Sequence, residues 1–494
     1  MAIADLVQNA VPVPNIFALP PDLQQKWLDE AADMGDKRVK GYALYDEFYD
    51  GDHRAQLRDR AKRYLEDLTG VPFTENFTQP AVDMLAERLQ VIGFTSSASE
   101  ETEADDGKQV VSDPPAATVE EWWQHCRMDK VQGRVHRGVL KRGDEFVIAD
   151  WDANTGYPSF SRQLPHQVKV VYSDDAPDTV EYGVKLWNTS AVSAASNPAG
   201  ARVTRLNVYW PGQIDKWFRA HTGSRWQRWF DDPADGQTAS WPTWWTDTGE
   251  ADGEPLGVAV VHFRNMPRDD GWGISRVKQA IPFQTELNKV VADLNDLIDN
   301  HADPQDWVSG TSGTTTDLTR VGGVWELLGD NAKAGRLPAS DTANLLNAVE
   351  GVLSRMARRL RMPLHLLTGG TPPSGEALKT AESGLVQTAN DNQVELAASW
   401  EDLMMLGLRL AKAFGEAAPE VPESLDVQWE NPESRSDADD LQVAEAKKRL
   451  GVSQHTLLSE LGYDPEKEQE RRDAETASNA EAQGALFDRG GLPV

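Results

Sequence analysis

Between Gly271 and Gly415 three amphipathic helical patterns follow one another, separated by two glycine-rich interruptions, and no other stretch restricts the possible folds as much. Ile274, Val277, Ile281, Leu287, Val291, Leu294 and Ile298 recur at three- or four-residue spacing, as one helix face requires. Leu345, Val349, Val352, Met356 and Leu360 repeat the pattern, as do Leu396, Trp400, Leu403, Gly407, Leu410 and Phe414. A short β-like insert parts the first two helices, and a Gly/Pro loop parts the second from the long third. The two shorter helices carry narrow apolar stripes flanked by charge, which suits helices packed side by side in a ring or bundle. No catalytic constellation lies along them. The stretch reads as an architectural part rather than an active site.

A chain of 494 residues can bury a large core and divides into about three domains. No apolar run approaches the roughly 20 residues that cross a bilayer. The N-terminus, from Met1 to Leu6, has neither the basic nor the apolar region of a signal peptide. Cys126 is the single cysteine, which excludes an intrachain disulfide and a multi-cysteine zinc site and suits a reducing cytoplasm. The formal net charge of -30 argues against tight DNA binding, since counterion displacement needs a basic surface. It leaves room for DNA as a passing cargo, because an acidic wall repels phosphates over about 8–10 Å. Plain solubility is the simpler account of the same charge.

Elsewhere the signals come in blocks. Residues 1–20 are Pro-rich and aperiodic. Helices are expected from Pro20 to Met34, from Val39 to Phe48, and from Pro80 to Leu89 with Gly93 as cap. Thr95 to Ala117 reads as a solvated loop, and Thr118 to Gly138 as one further helix. From Asp144 to Phe263 the period changes to two. Phe146–Ala149, Val168–Tyr172, Thr179–Val184, Val203–Tyr209 and Val258–Phe263 read as strands, with Trp217, Trp226 and Trp229 continuing the meander. Leu425–Trp429 is one more strand, and helices follow over Ser436–Leu450, ended by Gly451, and Ser453–Leu461. The class is α+β.

Motifs that could carry chemistry mostly fail on inspection. Gly369-Gly370-Thr371-Pro372-Pro373-Ser374-Gly375 has P-loop glycine spacing, but Glu376 stands where phosphate binding needs Lys. It is either an exposed loop whose backbone approaches something closely or an ordinary connection. Asp231, Asp235 and Gly236 echo a calcium loop that Pro233 and Pro242 spoil. Asp296, Asp299 and Asp303 share a helical face that carries no His or Cys, which suits an acidic surface better than a metal site. Arg355, Arg358, Arg359 and Arg361 crowd one helix end. They complement its dipole, pair across a subunit interface, or meet phosphate. The 17 tryptophans, with Trp241, Trp244 and Trp245 clustered, suit core or interface packing better than sugar stacking. No cofactor is indicated.

Taken in order, several segments resemble the portal (head–tail connector) proteins of tailed double-stranded DNA phages of the long-tailed type. Asn76 through Phe94 is similar to their N-terminal block, and Trp272-Gly273-Ile274-Ser275-Arg276 through Lys289 to the segment entering the stem. Pro304-Gln305-Asp306-Trp307-Val308-Ser309-Gly310 follows in place. Pro363–Leu367 with Ser374–Leu378 resembles the tunnel-loop junction, and Gly451-Val452-Ser453 with Gly462-Tyr463 the C-terminal block. The likeness spans most of residues 40–465.

The resemblance implies a portal fold: an arm (1–20), a helical wing part (21–140) and a β-rich wing domain (141–270). A stem helix (271–301), an α/β clip (302–340) and a second stem helix (341–362) would follow. A tunnel loop (363–375), a long wing helix with a strand (376–432), a helical crown (433–476) and a tail (477–494) would complete the chain. Thr368, Gly369, Gly370 and Thr371 would face DNA with Lys379 nearby, and Arg320, Lys333 and Arg336 would lie on the clip toward the packaging motor. Implied partners are further copies in a ring, usually of twelve, passing double-stranded DNA, terminase, a head–tail adaptor, and major capsid and scaffolding proteins. No membrane is involved; the place would be the capsid vertex of the virion, after assembly in the host cytoplasm. The portal itself would hydrolyse nothing. The competing readings are a Trp-rich glycan hydrolase and another head-completion or scaffold-associated virion protein.

Overall fold

A computed structural model of the protein describes residues 19–54, 74–103, 109–176, 178–190, 202–220, 223–229, 250–251, 254–302, 306–309, 333–336, 343–368, 375–415, 420–433 and 437–451, with a few single positions beside them. Two compact units divide the chain at residue 432. Helices and antiparallel strands mix throughout the larger one, as the α+β expectation has it.

Helices α1 (Pro21–Ala31) and α2 (Asp36–Asp50) open the larger unit, the second ended by Gly51 in the left-handed conformation that glycine tolerates. Helix α3 (Thr78–Ala86) carries Pro80 in its first turn but stops at Ala86, so Gly93 is not its cap. Gly93 lies inside strand β1 (Val91–Ser96), where it meets Gln428 across the ladder. The expected solvated loop is also structured. Strands β2 (Glu100–Glu103) and β3 (Gln109–Ser112) pair antiparallel, and a run of glutamates disguises the first of them.

Helix α4 (Pro114–His125) begins earlier than expected, because the Asp113 carboxylate caps it by accepting from the Ala116 amide at 3.1 Å. Arg127 then turns left-handed (φ 54°), and α5 (Met128–Arg142) runs off in a new direction. The single helix expected over Thr118–Gly138 is therefore two.

The period-two region forms two main sheets. Strands β4 (Asp144–Asp152) and β5 (Tyr157–Gln163) are followed by β6 (Val168–Tyr172), β7 (Val180–Ser190), β8 (Arg202–Trp210), β9 (Gln213–Arg219) and β10 (Gln227–Arg228). A short pair, β11 (Glu250–Ala251) and β12 (Glu254–Pro255), precedes β13 (Val260–Arg264). Strands β6 to β10 make an antiparallel meander, while β13 returns beside β4 to give the order β13-β4-β5. Sequence reading misses β5, because Pro158 argues against a strand. Pro158 is tolerated since β5 is the edge of its sheet.

Beyond β13 run α6 (Arg276–Ala302), the antiparallel pair β14 (Asp306–Ser309) and β15 (Lys333–Arg336), α7 (Ala343–Arg359), the short α8 (Leu364–Thr368) and the 40-residue α9 (Gly375–Phe414). Strand β16 (Leu425–Trp429) closes the unit by pairing with β1, Phe94 opposite Val427. The second unit contains α10 (Asp437–Arg449), ended as expected by a left-handed Gly451. The helix expected over Ser453–Leu461 lies mostly outside the described residues.

Helix α9 threads the main core. Its Trp400 is fully buried, edge-on to Phe263 at 4.7 Å and to Trp123 at 5.3 Å. The indole Nε1–H donates to His136 Nε2 at 2.9 Å, which leaves Nδ1–H of that ring to donate to the Leu89 carbonyl at 2.9 Å. Burial pushes the His136 pKa down to about 4. A second core lies where α1 covers the five-stranded sheet, with Trp27 stacked on Trp210 at 5.8 Å. Trp122, Trp217, Trp226 and Trp229 are buried too, as core packing requires, whereas Trp241, Trp244 and Trp245 fall outside the described residues.

Candidate assembly and channel surface

Helix α6 leaves the body through Trp272-Gly273-Ile274-Ser275-Arg276, and each of the last four residues has an anchoring role. Gly273 presses against another glycine, so that a Cβ there would lie 1.9 Å from the Gly143 carbonyl oxygen. Its amide donates to Asp144 Oδ1 at 2.8 Å, and the Ile274 amide to Asn265 O at 2.8 Å. Ser275 Oγ donates to Lys141 O at 2.6 Å and accepts from the Lys278 amide at 2.9 Å, capping the helix. Arg276 is buried and donates to Ala81 O at 2.6 Å and Leu360 O at 2.7 Å, tying α3, α6 and the end of α7 together. Burial pushes its guanidinium pKa down to about 10.

From that anchor α6 and α7 run side by side. Ala280 packs with Met356 and Ala357, Leu287 with Val352 and Leu353, and Val291 and Val349 follow, so the helices are antiparallel. Sequence periodicity marked this face but missed a second one. Gln284 and Asn288 of α6 are buried and clamp the extended chain before α3. Gln284 Oε1 accepts from the Phe77 amide at 2.8 Å, Asn288 Oδ1 accepts from the Glu75 amide at 3.0 Å, and Asn288 Nδ2 lies 2.9 Å from His53 Nε2. Polar residues satisfying a backbone segment leave no trace in a hydrophobicity pattern.

Farther from the anchor the packing runs out. Ile298 of α6 is 49% exposed, Leu346 of α7 51%, and Trp307 of β14 42%. The end of α7 is, by contrast, tightly finished. Arg361 takes the left-handed position (φ 52°), the Met362 amide reaches Ala357 O at 2.8 Å, and Met362 is buried beside Ala357. This is a Schellman cap built without glycine.

The four arginines there do not act as one cluster. Arg355 pairs with Glu286 of α6 at 2.6 Å, and Arg361 lies 4.0 Å from Asp391 of α9. Arg358 and Arg359 are exposed. Thr368 ends α8, exposed, its hydroxyl donating to Leu364 O at 3.1 Å, and Lys379 is exposed in the first turns of α9. Lys333 is exposed on β15, opposite Ser309, and Arg336 stands opposite Asp306. Gly369, Gly370, Thr371 and Arg320 lie outside the described residues, as do Asp231, Asp235 and Asp303. Among the described residues no group of three or more His, Cys, Asp or Glu could hold a metal ion, and no helix is long and apolar enough to cross a membrane.

The sequence model of the phage portal protein family, SPP1 Gp6-like, matches residues 33–482. The chain belongs to that family. Two similar relatives are the portal proteins of Mycobacterium phages D29 and L5. They are 23% and 22% identical over 422 residues, which cover 79% of this chain and 76% of each relative. Family membership covers the anchored helix pair, α8 and α9 alike, so a portal-type role frames the whole surface just described.

Proposed function

We propose that copies of this chain form a closed ring at one capsid vertex, a conduit for double-stranded DNA during packaging and ejection. In this reading α6 and α7 form the stem, the β14–β15 pair belongs to the clip, and the 363–375 segment is the tunnel loop. The two β-sheets with α1–α5 and α9 make the wing, and the unit after residue 432 the crown. Terminase docks first and head–tail connector proteins later, with capsid and scaffolding proteins around the wing. The role is structural, with ATP hydrolysis left to terminase. The carrying observation is the outer half of the α6–α7 pair. Ile298 and Leu346 there, with Trp307 of the adjoining β14, leave about half of their surface uncovered, and a neighbouring copy would bury them.

Negative-stain microscopy of the purified protein tests this directly. Top views should show rings with a central hole, and a population of compact monomers at micromolar concentration overturns the reading. Deleting Thr368 to Thr371 should leave rings intact while impairing DNA packaging or retention. Unimpaired packaging removes the loop from the channel.

A further inference from the structure

In a chain with 79 acidic and 49 basic side chains, a surface where positive charge accumulates stands out. One such place is a cleft of about 780 Å³ between α2, the 268–275 connection, the first turns of α6 and the end of α7. Six of its lining residues are cationic and two are acidic. Part of that charge is answered internally. Arg268 pairs with Asp270 at 3.2 Å, and Arg142 with Asp46 at 2.9 Å and Glu145 at 3.2 Å. The Asp144 carboxylate is taken up by Tyr42 Oη at 2.7 Å, the Gly273 amide and His262 Nε2 at 3.0 Å.

The remainder is not answered. Lys37, Lys278 and Arg359 form no ion pair among the described residues, and all three are exposed. Arg38, which has no carboxylate partner among the described residues, holds its Cζ 3.6 Å from the Trp272 ring centroid and donates from Nη2 to Met34 O at 2.7 Å. The α6 N-terminus, capped by Ser275, adds the positive end of its dipole to the same space. A guanidinium held over an indole keeps its positive charge fixed at the wall of the cleft.

We propose that this cleft receives a carboxylate-rich segment of a neighbouring copy, with residues 100–106 as the donor. The inference rests on the ring reading above. A heterologous ring contact joins two different patches of one chain, and here the patches differ in sign. Residues 100–106 read Glu-Glu-Thr-Glu-Ala-Asp-Asp, five carboxylates in seven positions. The cleft's volume matches a few side chains of an extended segment rather than a duplex.

The test separates this contact from ring formation as such. A labelled peptide of residues 98–107 is titrated by fluorescence anisotropy onto the full-length Ile298→Asp/Leu346→Asp protein, which the ring reading makes monomeric. Binding should weaken about tenfold or more when Lys37→Glu, Lys278→Glu and Arg359→Glu are added, and survive Lys37→Arg, Lys278→Arg and Arg359→Lys. In the otherwise unaltered chain the triple reversal should abolish rings with the melting temperature unchanged. Rings that persist through the reversal, or a peptide that fails to bind, overturn the proposal while leaving the ring reading standing. Peptide binding without rings in the unaltered chain sinks the ring reading and keeps the cleft's chemistry. Loss of duplex-oligonucleotide binding on reversal, with rings intact, assigns the cleft to nucleic acid and overturns the proposal.

Discussion

Around Trp400 and along the outer turns of α6 and α7, the same kind of amphipathic helix meets two different surroundings. Trp400 is enclosed by aromatic edges, and even its indole N–H has a partner, so that stretch of α9 is complete within one chain. The stripe on α6 begins equally well buried at Val277 and Leu287 and ends with Ile298 half exposed. Apolar periodicity is continuous through both. What differs is whether the chain itself supplies the covering surface, and that separates residues that hold the fold from residues free to hold a neighbour.

The joint between these regions is where the largest effect is expected. Gly273→Ala places a methyl carbon against the Gly143 carbonyl, backbone meeting backbone, with no flexible side chain to yield. It should cost more than about 4 kcal/mol, read as loss of soluble protein or of the urea transition. A Gly273→Ala protein as stable as the parent would mean that α6 is not seated at this joint.

Next comes the pH response of the enclosed core. The folded-state pKa of His136 is depressed to about 4 from 6.5, so the unfolded chain binds the proton more readily. Stability from neutral His136 is complete above pH 6.5 and is lost as pH falls toward 4, by about 3 kcal/mol. Glu145 slopes the other way. Burial between Arg142 and Arg162 pushes it up to about 7, so its contribution is full below about 4.5 and is lost as pH rises through 7. A comparison with His136→Gln, whose amide can accept from Trp400 and donate to Leu89, isolates the first slope. Urea midpoints of the two proteins should diverge between pH 6.5 and 4, and parallel profiles would place His136 in contact with solvent.

Much of this contrast is legible in the amino-acid sequence, and the omissions have physical causes. Long helices and two-periodic strands were readable because one face of each meets the core, as in Val168–Tyr172 and Leu425–Trp429, which match their strands residue for residue. Strand β5 was hidden by Pro158, β2 by its glutamates, and the break at Arg127 by a left-handed turn that no glycine announces. At the candidate surface the narrow stripes of α6 and α7 were visible, but not where their cover ends, because exposure depends on which elements fold back over a helix. Gln284 and Asn288 were invisible for a related reason. Their partners are backbone groups more than 200 residues earlier in the chain.

On the outer helix pair the comparison sharpens in the opposite direction. Ile298→Asp with Leu346→Asp touches side chains that are already about half exposed, so the monomer's unfolding free energy from urea titration should change by less than about 0.5 kcal/mol. Ring assembly, followed by mass photometry, should nevertheless disappear, because the charges would be desolvated against a neighbour. A variant that loses stability as a monomer while keeping its rings would reverse the assignment of this face.

The smallest effect concerns Arg355, one of four arginines that could have pointed outward. Its ion pair with Glu286 is short, 2.6 Å, but both side chains are nearly half exposed, 47% and 43%, so water screens the attraction. Exposed pairs of this kind contribute about 0.2–1 kcal/mol, and less as salt rises. Arg355→Met should therefore lower the unfolding free energy by a few tenths of a kcal/mol, a difference that vanishes in about 1 M salt. Ring yield should stay unchanged, because the guanidinium is already committed to α6 of its own chain. Rings lost on this substitution alone would show that Arg355 bridges copies, and would move the inter-copy contact from the outer turns of the pair to its middle.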